Sequence, residues 1–248
     1  HLEIEAMRVA FADLYAHVAD PDHMRLTPAQ LLDPAYLRQR AALIDPQRAG
    51  QYPAGQPGSG GTVYLCTADS EGRMVSFIQS NFKGFGSGVV VPGTGIALHN
   101  RGMGFVTTPG HPNQVAGGKR PMHSIIPAFV TRGGQPHMAF GVMGGNMQAQ
   151  GHVQMVLREA VEGLNPQACS DAPRWRINDA GALTLEHTVP AAVVDGLRAL
   201  GHDPQVAAPG SLEFGSAQII RRLEATPGTG FAYAAGSDHR RDGQAVGC

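Results

Sequence analysis

Residues 51–61, Gln51-Tyr52-Pro53-Ala54-Gly55-Gln56-Pro57-Gly58-Ser59-Gly60-Gly61, hold too few apolar side chains to pack. The chain passes from them straight into Thr62-Val63-Tyr64-Leu65-Cys66-Thr67-Ala68-Asp69, a β-rich pattern. A peptide bond in an exposed Gly/Pro/Ser segment is open to cutting, and a strand behind it holds whatever remains. Were the Gly61–Thr62 bond cut, Thr62 would carry both a hydroxyl and a free amine, a self-contained nucleophile and base. The plainer alternative is a β-branched residue that opens a strand after a linker. Local sequence leaves both open.

The 248 residues, 42% hydrophobic and 16% charged, suffice for one large domain or two small ones with a substantial core. A net charge of −1 and the lack of any long Lys/Arg run point away from nucleic acid and from anionic membrane surfaces. No stretch approaches the roughly 18 apolar residues of a membrane span. Cys66, Cys169 and Cys248 have no CxxC spacing, which argues against a disulfide framework or a zinc site and leaves a single disulfide open. His1 falls inside a helical pattern, so the chain is expected to be the C-terminal part of a longer product. Any signal peptide would lie in the missing part, and the compartment is left open between bacterial cytoplasm and periplasm.

Ile4, Met7, Phe11, Leu14, Tyr15 and Val18 recur at helical spacing, with Glu3 and Glu5 at the positive end of that helix. Thr27-Pro28-Ala29-Gln30 reads as a capping box, and Asp33-Pro34 as the start of another helix. Residues 46–61 read as loop. After Thr62 the period becomes strand-like. Strands are predicted over Val63–Ala68 and Met74–Ser80 around a turn at Ser70–Arg73, then over Ile126–Thr131 and His137–Gly141, Ala182–Glu186, and a final pair at Ala217–Arg222 and Gly230–Ala235. Helices are predicted over Met147–Glu162, capped by Gly163, and Pro190–Leu200, closed by Gly201. Helices flanking many mostly antiparallel strands point to layered α/β packing and away from a Rossmann fold.

A threonine nucleophile needs a base, an oxyanion site and groups that hold its amine. An α-amine titrates near ~8, so the base is built in. Gly144-Gly145 precede a helix, where unshielded backbone N–H groups meet the positive end of its dipole, although a glycine turn before a helix is also commonplace. Ser80 ends the strand expected to pair with that of Thr62, either as a partner of the Thr62 amine or as a turn serine. Gly84-x-Gly86-x-Gly88 runs into Val89-Val90-Val91-Pro92, not a helix with a P-loop Lys, so no nucleotide is expected. His99, His111, His123, His137 and His152 lack HExxH or i,i+4 pairing, and neither a metal nor another cofactor is expected. Cys66 shares a strand face with Tyr64 and Thr62 and reads as a small core residue before it reads as a nucleophile.

The run Thr62…Asp69, Gly72, Phe85-Gly86-Ser87-Gly88-Val89-Val90-Val91-Pro92-Gly93-Thr94-Gly95-Ile96 resembles the small-subunit start of the γ-glutamyltransferase family. Gly118-Lys119-Arg120-Pro121, Gly141-Val142-Met143-Gly144-Gly145 and Ala234-Ala235-Gly236-Ser237-Asp238 continue the likeness in order. The branch it is most similar to is a bacterial γ-glutamyltransferase-like one, related to cephalosporin acylases. The resemblance implies an N-terminal-nucleophile hydrolase fold: an α/β (α+β) chain in a four-layer αββα sandwich with two stacked, mainly antiparallel sheets. It implies that residues 1–61 end a large subunit, helical then flexible, and that 62–248 are the small catalytic subunit. It also implies a precursor that cuts itself between Gly61 and Thr62.

By the same resemblance the chain is an autoprocessed threonine amidohydrolase or acyltransferase. It would cleave γ-glutamyl or related acyl amides, as in glutathione hydrolysis or γ-glutamyl transfer, through an acyl-enzyme on Thr62. Thr62 matches the nucleophile, and Ser80 a residue that holds its amine. Gly144 and Gly145 match the oxyanion pair. Ser124 matches one of two serines on the substrate carboxylate, with His123 in place of the other. Gly104 stands where the family has an acid for the glutamyl α-amino group, Arg101 replaces a Gln and Phe82 an Asn; Asn100 is grouped with these contacts. Replacing negative by neutral, and neutral by positive, removes attraction for an ammonium group. A glutaryl-type, cephalosporin-acylase-like donor is therefore one alternative, and an uncleaved, non-catalytic ligand-binding relative another. The implied partners are the small-molecule acyl amide, an amino acid, peptide or water as acceptor, and the large-subunit region of the same precursor. Self-association into a homo-oligomer is left open.

Overall fold

The structure is a computed structural model and describes residues 1–52, 61–178, 180–224 and 230–247. Residues 53–60, most of the expected loop before Thr62, lie outside the described residues, as does Cys248; Cys66 and Cys169 are free thiols. In chain order the elements are α1 (Leu2–His17), α2 (Pro28–Leu31), α3 (Pro34–Ala41), β1 (Gly61–Ala68), β2 (Met74–Phe82), β3 (Ala128–Arg132), β4 (Gln135–Met143), α4 (Met147–Ala160), α5 (Pro166–Asp171), β5 (Trp175–Ile177), β6 (Leu183–Leu185), α6 (Ala191–Ala199), β7 (Gln205–Val206), β8 (Ser216–Glu224) and β9 (Phe231–Ser237). They form two compact units.

One unit gathers residues 1–58, 100–123 and 177–207. Its α1 buries Ile4, Met7 and Phe11, the stripe read from the sequence. Glu5, in the acidic first turn as expected, is fully buried and accepts the Gly50 N–H at 2.8 Å. Thr27 and Gln30 close the predicted capping box, and Asp33 caps α3 by accepting the N–H groups of Ala35 and Tyr36. Arg120 donates to the buried Asp20 carboxylate through its backbone N–H at 2.9 Å and its guanidinium at 3.0 Å. These bonds hold Asp20 far below the usual carboxylate range, the side-chain bond to Arg120 contributing most. β6 and β7 pair in parallel.

The other unit gathers residues 59–99, 124–176 and 208–248. Here β1 and β2 form an antiparallel hairpin, and β3-β4-β8-β9 a four-stranded antiparallel sheet. Successive strand residues point to opposite faces. Met138, Phe140 and Val142 of β4, with Ala217 and Ile219 of β8, meet Met155 of α4 and Cys169 of α5 in one core. The opposite face of β4 meets the hairpin. A Cβ on Gly141 would lie 2.6 Å from the Tyr64 ring, so glycine lets the sheets approach there. This is the expected α/β class with stacked antiparallel sheets. Helices, sheet and hairpin supply three of the four expected layers within this unit. On the hairpin's other face Val63 is 66% and Phe77 50% exposed.

Candidate active site

The pairing of β1 with β2 sets Thr62 opposite Ser80, and their hydroxyl oxygens are 2.9 Å apart. The register shifts between Gly61 and Thr62: Gly61 pairs with Phe82, so Asn81 has no partner of its own in the ladder. Such a bulge bends the strand and re-aims neighbouring side chains. Ser80 Oγ also accepts the Phe82 N–H at 2.9 Å, which fixes the hydroxyl in place. Phe82 has φ 74°, the sole positive φ outside glycine among the described residues. A bulky side chain there costs of order 1–3 kcal/mol and persists where its surroundings hold it.

Two residues beyond Thr62, the Tyr64 N–H points at Met143 Sδ, 3.2 Å away. The buried Tyr64 hydroxyl meets Ser76 Oγ at 2.6 Å, and Ser76 donates onward to the Ala128 carbonyl at 2.7 Å. Tyr64 thus ties the start of β1 to the end of β4, where Gly144 follows. Burial pushes the Cys66 thiol up to about 11, so it stays protonated at neutral pH and is a poor nucleophile.

Gly144 and Gly145 have φ 122° and 62°. Their carbonyls accept the N–H groups of Met147 and Gln148, at 3.1 Å each, opening α4. Their own N–H groups enter no hydrogen bond among the described residues. A Cβ on Gly215 would lie 2.1 Å from the Met143 carbonyl oxygen, so only glycine fits beneath this turn. The segment bearing Gly215 is itself anchored. Arg174, fully buried, donates to the Phe214 carbonyl at 2.9 Å and to Asp238 at 2.5 Å, and Asp238 accepts the Ala217 N–H at 2.6 Å. Burial alone would raise the Asp238 pKa; the Arg174 charge and the N–H groups of Ala217 and Arg240 outweigh it and leave it lowered.

Thr62, Ser80, Phe82, Ser124, Gly144 and Gly145 all belong to this unit. Asn100, Arg101, Gly104 and His123 belong to the other. There Arg101 is 5% exposed, donates to the Met122 carbonyl at 3.2 Å, and has its pKa lowered by burial. A Cβ at Gly104 would sit 3.3 Å from that same carbonyl oxygen, a tight contact, and 3.7 Å from Pro121 Cβ, an ordinary one. Sequence reasoning did not assign Met143, Gly215 or the Arg174–Asp238 pair. Asp238 lay in a motif quoted for its likeness alone. Among the described residues no trio of metal-ligand side chains surrounds Thr62. A cavity of about 600 Å³, lined by Arg132, His137, Glu159 and Arg221 among others, opens at the other end of β4 from Met143.

A family model described as gamma-glutamyltranspeptidase matches residues 1–248. The chain belongs to the gamma-glutamyltranspeptidase family. It is 38% identical over 227 residues to the oxamate amidohydrolase proenzyme of Klebsiella pneumoniae, covering 90% of this chain and 43% of that protein. It is 33% identical over 253 residues to the glutathione hydrolase-like YwrD proenzyme of Bacillus subtilis, covering 100% and 47%. Its fold is similar to the crystal structure of cephalosporin acylase from Bacillus halodurans, with TM-score 0.87 and 46% identity over 98% of this chain and 43% of that one. The chain therefore spans less than half the length of these relatives.

Proposed function

We propose that this family member is an amide-bond hydrolase or acyltransferase that works through Thr62 after its own chain is cut between Gly61 and Thr62. Residues 1–61 would then end a large subunit and 62–248 form the small one. The 2.9 Å pairing of the Thr62 and Ser80 hydroxyls at the head of β1 carries this reading. The proenzyme names of its relatives support the cut.

In the mature chain, Thr62 Oγ attacks the amide carbonyl carbon while the Thr62 amine takes the hydroxyl proton, with Ser80 holding the pair in register. The developing oxyanion accepts from the Gly144 and Gly145 N–H groups. Losing one such donor costs on the order of 100-fold in rate. The C–N bond breaks as the leaving amine receives that proton, and an ester on Thr62 remains. Water or an acceptor amine then releases the acyl group. Intact mass and N-terminal sequencing of purified protein test the scheme: a chain beginning Thr-Val-Tyr-Leu is expected, and Thr62→Ala should leave the chain whole and inactive. Wild-type turnover on an uncut chain refutes it.

A specific observation favours a donor that has a carboxylate but no α-amino group. Gly104 offers no acid, and buried Arg101 adds positive charge to the same segment. A desolvated like-charge encounter costs several kcal/mol. Oxamate, named for one relative, is likewise an amide with a carboxylate and no ammonium group. Phe82 and Ser124, which share a unit with Thr62, are the proposed substrate contacts. Glutaryl anilide should be turned over in preference to γ-glutamyl anilide; equal rates return the donor to the γ-glutamyl class.

A further inference from the structure

The unit that holds α1 carries a second cluster of reactive side chains, unrelated to Thr62. His1 and Glu5 stand one turn apart at the start of α1. His202 follows α6, where the chain turns at Gly201 with φ 87°. One nitrogen of each imidazole and one Glu5 oxygen lie within 4.8 Å of one another. Glu5 is 0% and His202 6% exposed.

Hydrogen bonds fix the protons. The Asp45 carbonyl, 2.8 Å from His1 Nε2, can only accept, so Nε2 carries the hydrogen and His1 Nδ1 is bare in the neutral ring. His202 Nε2 lies 2.7 Å from that bare nitrogen and donates to it, which leaves His202 Nδ1 bare as well. His202 Nδ1 and Glu5 Oε1 are both buried with no hydrogen-bond partner. Arg8 Nε, the nearest cation, is 3.7 Å from Glu5 Oε1. Burying lone pairs without a partner is costly, and native structures rarely leave them so.

We propose that His1, Glu5 and His202 form a binding site for a divalent transition-metal ion of the zinc and cobalt class. Two imidazoles and one carboxylate are a donor set such ions take, with bonds of about 2.0–2.2 Å. The outer contacts already match a ligand's needs: the Asp45 carbonyl orients His1 through the nitrogen opposite Nδ1, and the Gly50 N–H holds the second Glu5 oxygen. The ion would take the place of the hydrogen between the two rings, that proton passing to His202 Nδ1 by a change of tautomer, and would give Glu5 Oε1 a closer partner than Arg8 Nε at 3.7 Å. It would tie α1 to the segment after α6, a structural role separate from the chemistry at Thr62.

The test uses untagged full-length protein stripped by chelator and titrated with Zn²⁺ alone, followed by calorimetry and thermal melting. Co²⁺ provides a visible-absorption signature of the same site. One zinc per chain and a zinc-dependent rise in melting temperature are expected. Glu5→Gln, isosteric and still able to accept from Gly50, should weaken binding about tenfold or more. His202→Ala should abolish it. Zinc binding that is equal in wild type and Glu5→Gln, or absent from the wild type, overturns the proposal.

Discussion

Acid should loosen the sheet beside Gly144 through one residue, His152. β3 stops pairing with β4 at Phe140, so the Val142 N–H meets no strand on that side. His152 Nε2, reaching over from α4, accepts it at 3.1 Å. An accepting nitrogen carries no proton, and the ring is buried against Phe140 with centroids 4.9 Å apart. Burial brings the His152 pKa from 6.5 down to about 4. The unfolded chain therefore takes up the proton first. The stabilisation is complete above pH 6.5 and is lost as pH falls towards 4. A gap of 6.5 − 4 = 2.5 units, at about 1.36 kcal/mol per unit, is roughly 3 kcal/mol in full. Between pH 7.5 and 4.5 about 2.5 kcal/mol of it should be lost. Urea unfolding of wild type and His152→Gln at these two pH values isolates the effect, because carboxylates titrate alike in both proteins. The gap between the two stabilities should shrink by that amount at pH 4.5. A gap that does not change with pH refutes the account of the buried neutral ring.

Three further outcomes are expected. Asp238→Asn strands the buried Arg174 charge and should cost about 3–5 kcal/mol, read from chemical denaturation. Gly215→Ala places a methyl against the Met143 carbonyl at a positive φ, so kcat should fall while circular dichroism stays native; unchanged kcat would show that Met143 and Gly144 do not depend on this support. Phe82→Asn should leave stability unchanged or raise it by up to about 1 kcal/mol in thermal melts, since Asn tolerates this backbone region.

Much of the fold could be read because local chemistry and final structure agree. The Met147 and Pro190 helices carry periodic apolar residues and a closing glycine, and they end within about two residues of expectation. The hairpin was marked by two strand patterns around a Ser70–Arg73 turn, which Asp69 closes by accepting the Arg73 N–H. What sequence left dark was set by distance along the chain. The order β3-β4-β8-β9 joins strands some 70 residues apart, and no local propensity encodes it. The burial of Glu5 could not be read because its partner, the Gly50 N–H, lies 45 residues away. Arg174 and Asp238 are separated by 64. The short α5 was missed although Asn165-Pro166 begin it, since six residues cannot show a period. At Thr62, residue types suggested a partner in Ser80, yet the bulge between Gly61 and Thr62, next to that pair, was invisible.

That hairpin makes the site a matter of counting. Thr62 and Ser80 meet because eighteen positions lead out along one strand, round a tight bend, and back. Deleting a single residue from the bend would slide one strand past the other and turn its inward side chains outward, with the threonine among them. Any change that keeps the two hydroxyls together must therefore keep the number of residues from threonine to serine.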